Sequence, residues 1–170
     1  MLDALGNIGS FIGGIGVALT VAYLAVQVRL SGKAAKAAAA QAVMQSMSEY
    51  LRSVAESPQL AGVIRKAYAN LEALEDSEAT QFMFWTFAYF RLIELAHHHY
   101  RLGGIPDSFW KGQVRHLSAL MTTPAVARFW AMRQHFFSDD FRKLIDGFDP
   151  AACATAGKEF MKMYQSESDA

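Results

Sequence analysis

The chain has 170 residues, of which 52% are hydrophobic, and its 16 Lys and Arg residues balance its 16 Asp and Glu residues. This balance excludes the strong positive field by which nucleic-acid-binding proteins attract phosphates, so we expect no nucleic-acid partner. The single cysteine, Cys153, excludes an intramolecular disulfide and a zinc site built from several cysteines.

The composition favours helices over strands. Prolines are few, Ala, Leu, Met and Phe are abundant, and no stretch alternates polar and apolar residues between hairpin turns. We therefore predict an all-α protein, in which one N-terminal transmembrane helix continues into a helical bundle of about five helices. The predicted segments are a transmembrane anchor at 1–30, a helical stalk at 31–57, a cytoplasmic helical bundle at 58–148 and a loosely attached tail at 149–170.

The first predicted element is an apolar helix near the N-terminus. No charged residue lies between Asp3 and Arg29, an interval long enough to cross about 30 Å of hydrocarbon at about 1.5 Å per residue. A signal peptide would carry Lys or Arg before a shorter apolar core. We predict a membrane-spanning helix. The alternative is a helix buried in a soluble core, which a domain of this size would struggle to surround.

The charges around this helix predict its orientation. Arg29, Lys33 and Lys36 follow it, and no Lys or Arg precedes it. Because basic residues collect on the cytoplasmic side, we expect a single-pass protein of the bacterial inner membrane with its N-terminus outside and its C-terminal domain in the cytoplasm.

Small residues form a stripe along the same helix, with a Gly-x-x-x-Gly pair beside it. The stripe and the pair consist of Gly6, Gly9, Ser10, Gly13, Gly14, Ala18 and Ala22. Small side chains let helix backbones approach closely in lipid. We expect a homo-oligomer, or a subunit of a larger membrane complex, that packs through this surface in the bilayer; the alternative is ordinary glycine usage in a membrane helix.

The later elements are marked by their ends. We predict helix starts at Ser57-Pro58, at "EDSE", at Pro106-Asp107, at Thr123-Pro124 and at Ser138, and a helix end at Gly103-Gly104. The four-three spacing of Leu60, Ile64, Ala67, Leu71 and Leu74 predicts one seam facing another helix.

Three segments of the sequence resemble a known family. "VAYLAVQVRLSGKA", "YRLGGIPDSFWKG" and "FWAMRQHFFSDDFRKLID" are similar to stretches of a bacterial family of uncharacterised single-pass membrane proteins with an N-terminal transmembrane helix and a cytoplasmic helical bundle. The resemblance extends to about Phe148. It implies a topology and a fold, and it supplies no catalytic residues because the family has no assigned activity.

An aromatic run lies in the middle of the predicted bundle. Its members point in nearly every direction round a helix: Phe82, Phe84, Trp85, Phe87, Tyr89 and Phe90. A helix that is apolar all round is typical of the centre of a bundle, and Arg91 and Glu94 argue against a second membrane span. We predict a central core helix. The alternative is a lipid- or cofactor-binding cleft lined by these rings.

The following "RLIELAHHHYR" contains the candidate for chemistry. Glu94 is three residues from His97 and four from His98, as in the Glu-x-x-His element of di-iron bundles, and His99 extends the cluster. The chain has no second such element, so we favour a polar stripe in which Glu94 is paired with Arg91 or a histidine. That stripe consists of Arg91, Glu94, His98 and Arg101.

Phosphate-binding, nucleophile-elbow and dinucleotide motifs are absent from the sequence, so we assign no catalytic residue and expect no cofactor. The leading hypothesis is a non-enzymatic, membrane-anchored assembly or accessory protein. The alternative is a metal- or ligand-binding protein or enzyme that uses Glu94 and the His97–His99 cluster. An assembled pore is a third hypothesis, and the apolar character of the span disfavours it.

Overall fold

The computed structural model describes the backbone of residues 2–149, 153–155, 157, 158 and 160, and the side chains of these residues except 2–12 and 15. The described part of the chain contains helices and no strands, which confirms the all-α prediction. The six α-helices are α1 (Leu2–Ala55), α2 (Pro58–Ala69), α3 (Asp76–Arg101), α4 (Asp107–Met121), α5 (Pro124–Arg133) and α6 (Asp139–Asp146). Short 3₁₀-helices at Leu71–Ala73 and Gln134–Phe136 follow α2 and α5.

The chain divides into two compact units, Met1–Ala39 and Ala40–Ala170. The first unit consists of helical backbone from α1, which is unbroken at Ser31-Gly32. Its described side chains are exposed as far as residue 38. Among the described residues, no helix is both long enough and apolar enough to span a membrane.

The second unit contains one hydrophobic core, to which the last turns of α1 and all of the other α-helices contribute. Its largest fully buried apolar side chains are Phe90, Phe141, Ile93, Leu117, Val43 and Val126. Phe90 and Ile93 lie on α3, which has the largest share of the aromatic side chains. The aromatic run is therefore mainly core, but one member departs from that prediction: Phe84 is 63% exposed.

Helix α2 begins where the sequence predicts, but it ends before the last residues of the predicted seam. The Ser57 hydroxyl accepts a hydrogen bond from the amide of Leu60 at 3.2 Å, and Pro58 takes the first helical position. The predicted seam does not lie on one helix, because α2 ends at Ala69, but Leu71 and Leu74 still pack against the core. Asn70 is extended and its side-chain oxygen caps the next 3₁₀-helix through the amide of Glu72.

The end of α3 follows the glycine signal closely. Gly103 has a φ of 69°, in the left-handed region, and its amide donates to Tyr100 O at 2.9 Å. The Gly104 amide donates to His99 O at 2.9 Å. These two bonds satisfy carbonyls in the last turn, and the glycine conformation makes them possible.

Gly103→Ala is expected to lower the free energy of unfolding by about 1–2 kcal/mol, because an L-residue is strained at this φ. Gly112→Ala is the matched control. Gly112 lies inside α4 and a Cβ there would meet no atom within 4 Å, so alanine should raise stability by about 0.5–1 kcal/mol. Urea unfolding of the two variants followed by circular dichroism tests this. Changes of the same sign would contradict it.

Candidate functional site

The charged residues near the end of α3 lie against the start of α6. The Glu94 carboxylate accepts a hydrogen bond from Arg91 Nη1 at 2.7 Å and one from the backbone amide of Ser138 at 2.7 Å. Ser138 precedes α6, and its own hydroxyl makes no capping hydrogen bond. Glu94 thus places a negative charge where the amides at the N-terminus of α6 favour one.

The protonation of Glu94 reflects these contacts. Burial raises the pKa of this carboxyl, since its side chain is 16% exposed, but the hydrogen bonds from Ser138 and Arg91 favour the charged form. Together they hold the pKa of Glu94 below its ordinary value. A carboxylate stabilised in this way stays ionised near neutral pH, so it is not in the protonated form that a general acid requires.

Two further contacts join α3 to the same end of α6. Arg101 forms an ion pair with Asp140, in the first turn of α6. The Arg91 guanidinium lies 5.3 Å from the centroid of the Phe87 ring and 5.1 Å from that of Phe137. We call the contacts of Glu94, Arg91 and Arg101 with α6 and Phe137 the α3–α6 clamp.

The three histidines do not gather around one point. The His97 ring stacks on Trp110 of α4, with 5.3 Å between centroids and 22° between planes. Burial and the charge of Arg101 lower the pKa of His97 and so favour the neutral ring. His98 is exposed, and His99 lies 5.9 Å from it between ring centroids.

A cavity of about 440 Å³ lies beside the clamp, lined by Glu94, His97, His98 and their charged neighbours. The metal alternative requires several ligands to converge here. Among the side chains that the structure describes, no group of three His, Cys, Asp or Glu residues could hold a metal ion. Both carboxylates in this lining, of Glu94 and Asp140, are already paired with arginines.

Apolar cavities lie on another side of α3. One, of about 350 Å³, lies between α3, α5 and the 3₁₀-helix Leu71–Ala73. A second, of about 250 Å³, is lined by Met83, Phe84, Phe87, Arg133 and Phe136. Met83 and Arg133 line both. The sequence gives no signal for this pairing, since the two residues are 50 positions apart and each is ordinary on its own helix.

The small-residue stripe lies in the first unit. Gly13, Gly14, Ala18 and Ala22 are exposed on α1, and a Cβ at Gly13 or Gly14 would meet no atom within 4 Å. The side chains of the other members, Gly6, Gly9 and Ser10, lie outside the described residues.

Three comparisons with known proteins found no match: no protein-family model, no curated protein and no solved structure is similar to this chain at a significant level. The fold defines the chain as an all-α helical protein. The family resemblance stays a prediction.

Proposed function

We propose that this chain is a non-enzymatic, membrane-anchored assembly or accessory protein that associates through the small-residue stripe of α1. One observation carries the proposal: the large apolar side chains of this helix between positions 17 and 30 are all more than half exposed. They are Val17, Leu19, Val21, Tyr23, Leu24, Val26, Val28 and Leu30. Contiguous apolar surface of this kind is typical of a site that a membrane or another protein covers.

The distribution of these side chains around α1 favours contact with lipid over contact with a soluble partner. At 3.6 residues per turn, Val17, Val21 and Val28 share one face of the helix. Leu19, Val26 and Leu30 share nearly the opposite face. A groove in a soluble partner covers one face of a helix, whereas hydrocarbon covers all of them. The uncharged interval between Asp3 and Arg29, which includes residues 4–12 and 15 whose side chains lie outside the described part of the chain, also exceeds the roughly 20 residues that a span requires.

The small residues lie between these two apolar faces. Gly14, Ala18 and Ala22 are four residues apart, so each lies about 40° further round the helix than the one before it. In lipid, a narrow strip of small side chains allows close van der Waals contact with a second helix, and the larger side chains on both flanks remain available to acyl chains. This arrangement supports a helix–helix contact in the bilayer.

The proposed orientation places the N-terminus outside and the C-terminal unit in the cytoplasm, on the basic residues that follow the span. Cysteine labelling tests it in a Cys153→Ser background. A membrane-impermeant maleimide should modify Asp3→Cys in intact spheroplasts, and Lys36→Cys only after lysis. The reverse pattern would contradict the orientation.

Gly14→Leu combined with Ala18→Leu is expected to convert an oligomer into monomers, because two large side chains would separate the backbones. Gly16→Leu combined with Thr20→Leu is the matched control. Each control position is two residues on, about 200° round the helix, and should leave the assembly intact. The measurement is the mass of the full-length protein in nanodiscs, with metal content determined on the same untagged sample.

Two results of this experiment, and one of a separate alkaline extraction, would count against the proposal. A wild-type monomer carrying one equivalent of a transition metal would favour the metal-binding alternative. Loss of assembly in the control pair alone would assign the contact to the opposite face. Release of the wild-type chain from native membranes at alkaline pH would contradict the anchor itself.

A further inference from the structure

The apolar cavities between α3 and α5 contain Arg133, for which the described residues supply no acidic partner. Arg133 Nη2 donates to the Met83 sulfur at 3.3 Å, and the guanidinium lies 6.0 Å from the centroid of the Phe136 ring. In the part of the chain that the structure describes, no carboxylate pairs with Arg133. A thioether is a weak acceptor and a guanidinium has five N–H donors, so most of its hydrogen-bonding capacity is left unused by the protein.

Arg133 and Met83 are common to the linings of two cavities. One has a volume of about 350 Å³ and the other about 250 Å³, and both residues line each of them. Both side chains are flexible, and the contact between them is weak. We call the two cavities together the α3–α5 groove.

The charges lining the α3–α5 groove leave one net positive charge. Glu72 and Arg128 also line the larger cavity, and they form an ion pair with each other. Arg133 is then the remaining charged side chain of the lining, and an anionic ligand would neutralise its charge. Large apolar side chains supply much of the remaining lining. In the larger cavity they include Phe82, Phe129 and Leu74. In the smaller cavity they are Phe84, Phe87 and Phe136.

We infer that the α3–α5 groove binds a single-chain anionic amphiphile of the fatty-acid class, with its carboxylate paired to Arg133 and its acyl chain against the phenylalanine rings. Small-molecule sites are concave, mostly apolar, about 300–1,000 Å³ in volume, and equipped with few polar groups that fix orientation. A guanidinium donates two parallel hydrogen bonds to the two oxygens of a carboxylate. The single sulfur of Met83 cannot accept both bonds in this geometry.

The size of the groove favours this ligand over a protein partner. Twelve residues line the larger cavity and five the smaller, with two shared. A stable protein interface uses about 20–30 residues on each side. One carboxylate per ligand also matches the single uncompensated charge.

The test uses the full-length protein in zwitterionic nanodiscs, with isotope-labelled methionine methyl groups observed by NMR. The probes are decanoate and decanol, which have the same chain length and differ in charge. Decanoate should shift the Met83 and Met132 resonances saturably, since both side chains line the groove. Decanol should bind at least about tenfold more weakly, because it cannot form the charged pair.

Arg133→Gln should weaken decanoate binding by about tenfold or more and leave decanol binding unchanged. Arg115→Gln is the control, since Arg115 is exposed on α4 and lines neither cavity. Equal binding of the two probes, or equal decanoate binding by the two variants, would overturn the inference. So would a protein, or a second copy of the chain, that occupies the groove and excludes decanoate. If Arg133→Gln does not fold, the comparison of the two probes on the wild-type protein decides.

Discussion

Phe90→Ala is expected to lower the free energy of unfolding by about 3–5 kcal/mol, the largest effect of any single substitution that we propose. Phe90 has no exposed surface and lies at the centre of the core of the second unit. Its ring stacks on Trp130 at 5.2 Å and lies 5.3 Å from Phe129 and 5.9 Å from Phe137. Alanine would leave a cavity bordered by three rigid rings, which can close in only partially.

The measurement is urea unfolding of the full-length protein, followed by tryptophan fluorescence and circular dichroism. Phe84→Ala is the matched control, because it makes the same chemical change on the same helix at a position 63% exposed. We expect it to change stability by less than about 0.5 kcal/mol. Similar losses in the two variants would mean that Phe90 is not at the centre of the core.

The sequence predicts the helices better than their contacts, and the reason is physical. Helix ends depend on nearby residues, so Ser57-Pro58 and Gly103 could be interpreted directly from the sequence. Asn70 shows the limit of this approach. The apolar spacing continues past it, but its side chain competes for backbone amides and ends α2.

The candidate site shows the same limit at longer range. The pairing of Glu94 with Arg91 involves residues three positions apart on one helix, so helical spacing makes it foreseeable. The contact between Glu94 and the Ser138 amide joins residues 44 positions apart. It depends on how α3 packs against α6, and the sequence pattern carries no information about a backbone donor. The sequence therefore predicts that Glu94 is paired, but not that it caps another helix.

The ion pairs at helix ends differ in how much they contribute to the free energy of unfolding. Arg52 and Glu56 are largely exposed and 3.8 Å apart, so solvent screens their attraction and the pair contributes little. Glu94 is more enclosed and accepts a backbone hydrogen bond as well as the one from Arg91. A charged acceptor in that environment is worth more, because its removal leaves an amide and a guanidinium without their partner.

Glu94→Gln is accordingly expected to lower the free energy of unfolding at neutral pH by about 1–3 kcal/mol, since hydrogen bonds to a charged group are lost or weakened. Glu56→Gln is the control, and we expect a change of less than about 0.5 kcal/mol. The measurement is the midpoint of urea unfolding for the wild-type protein and both variants. Equal effects of the two substitutions would contradict the α3–α6 clamp.

The dependence on pH gives an independent check of the same contact. Burial raises the pKa of Glu94, but the hydrogen bonds from Ser138 and Arg91 outweigh it, so the folded pKa lies below the unfolded value of about 4.3. The unfolded state therefore binds more protons in this window, and the stabilisation by Glu94 is complete above the unfolded pKa and is lost as the pH falls through the folded pKa. Other carboxyls with lowered pKa values, such as Asp107 and Glu78, titrate in the same window. The informative quantity is thus the difference in unfolding free energy between wild type and Glu94→Gln, which should shrink as the pH falls from neutral to below the unfolded pKa of about 4.3. A difference that stays constant over this range would show that the carboxylate charge does not hold α3 to α6.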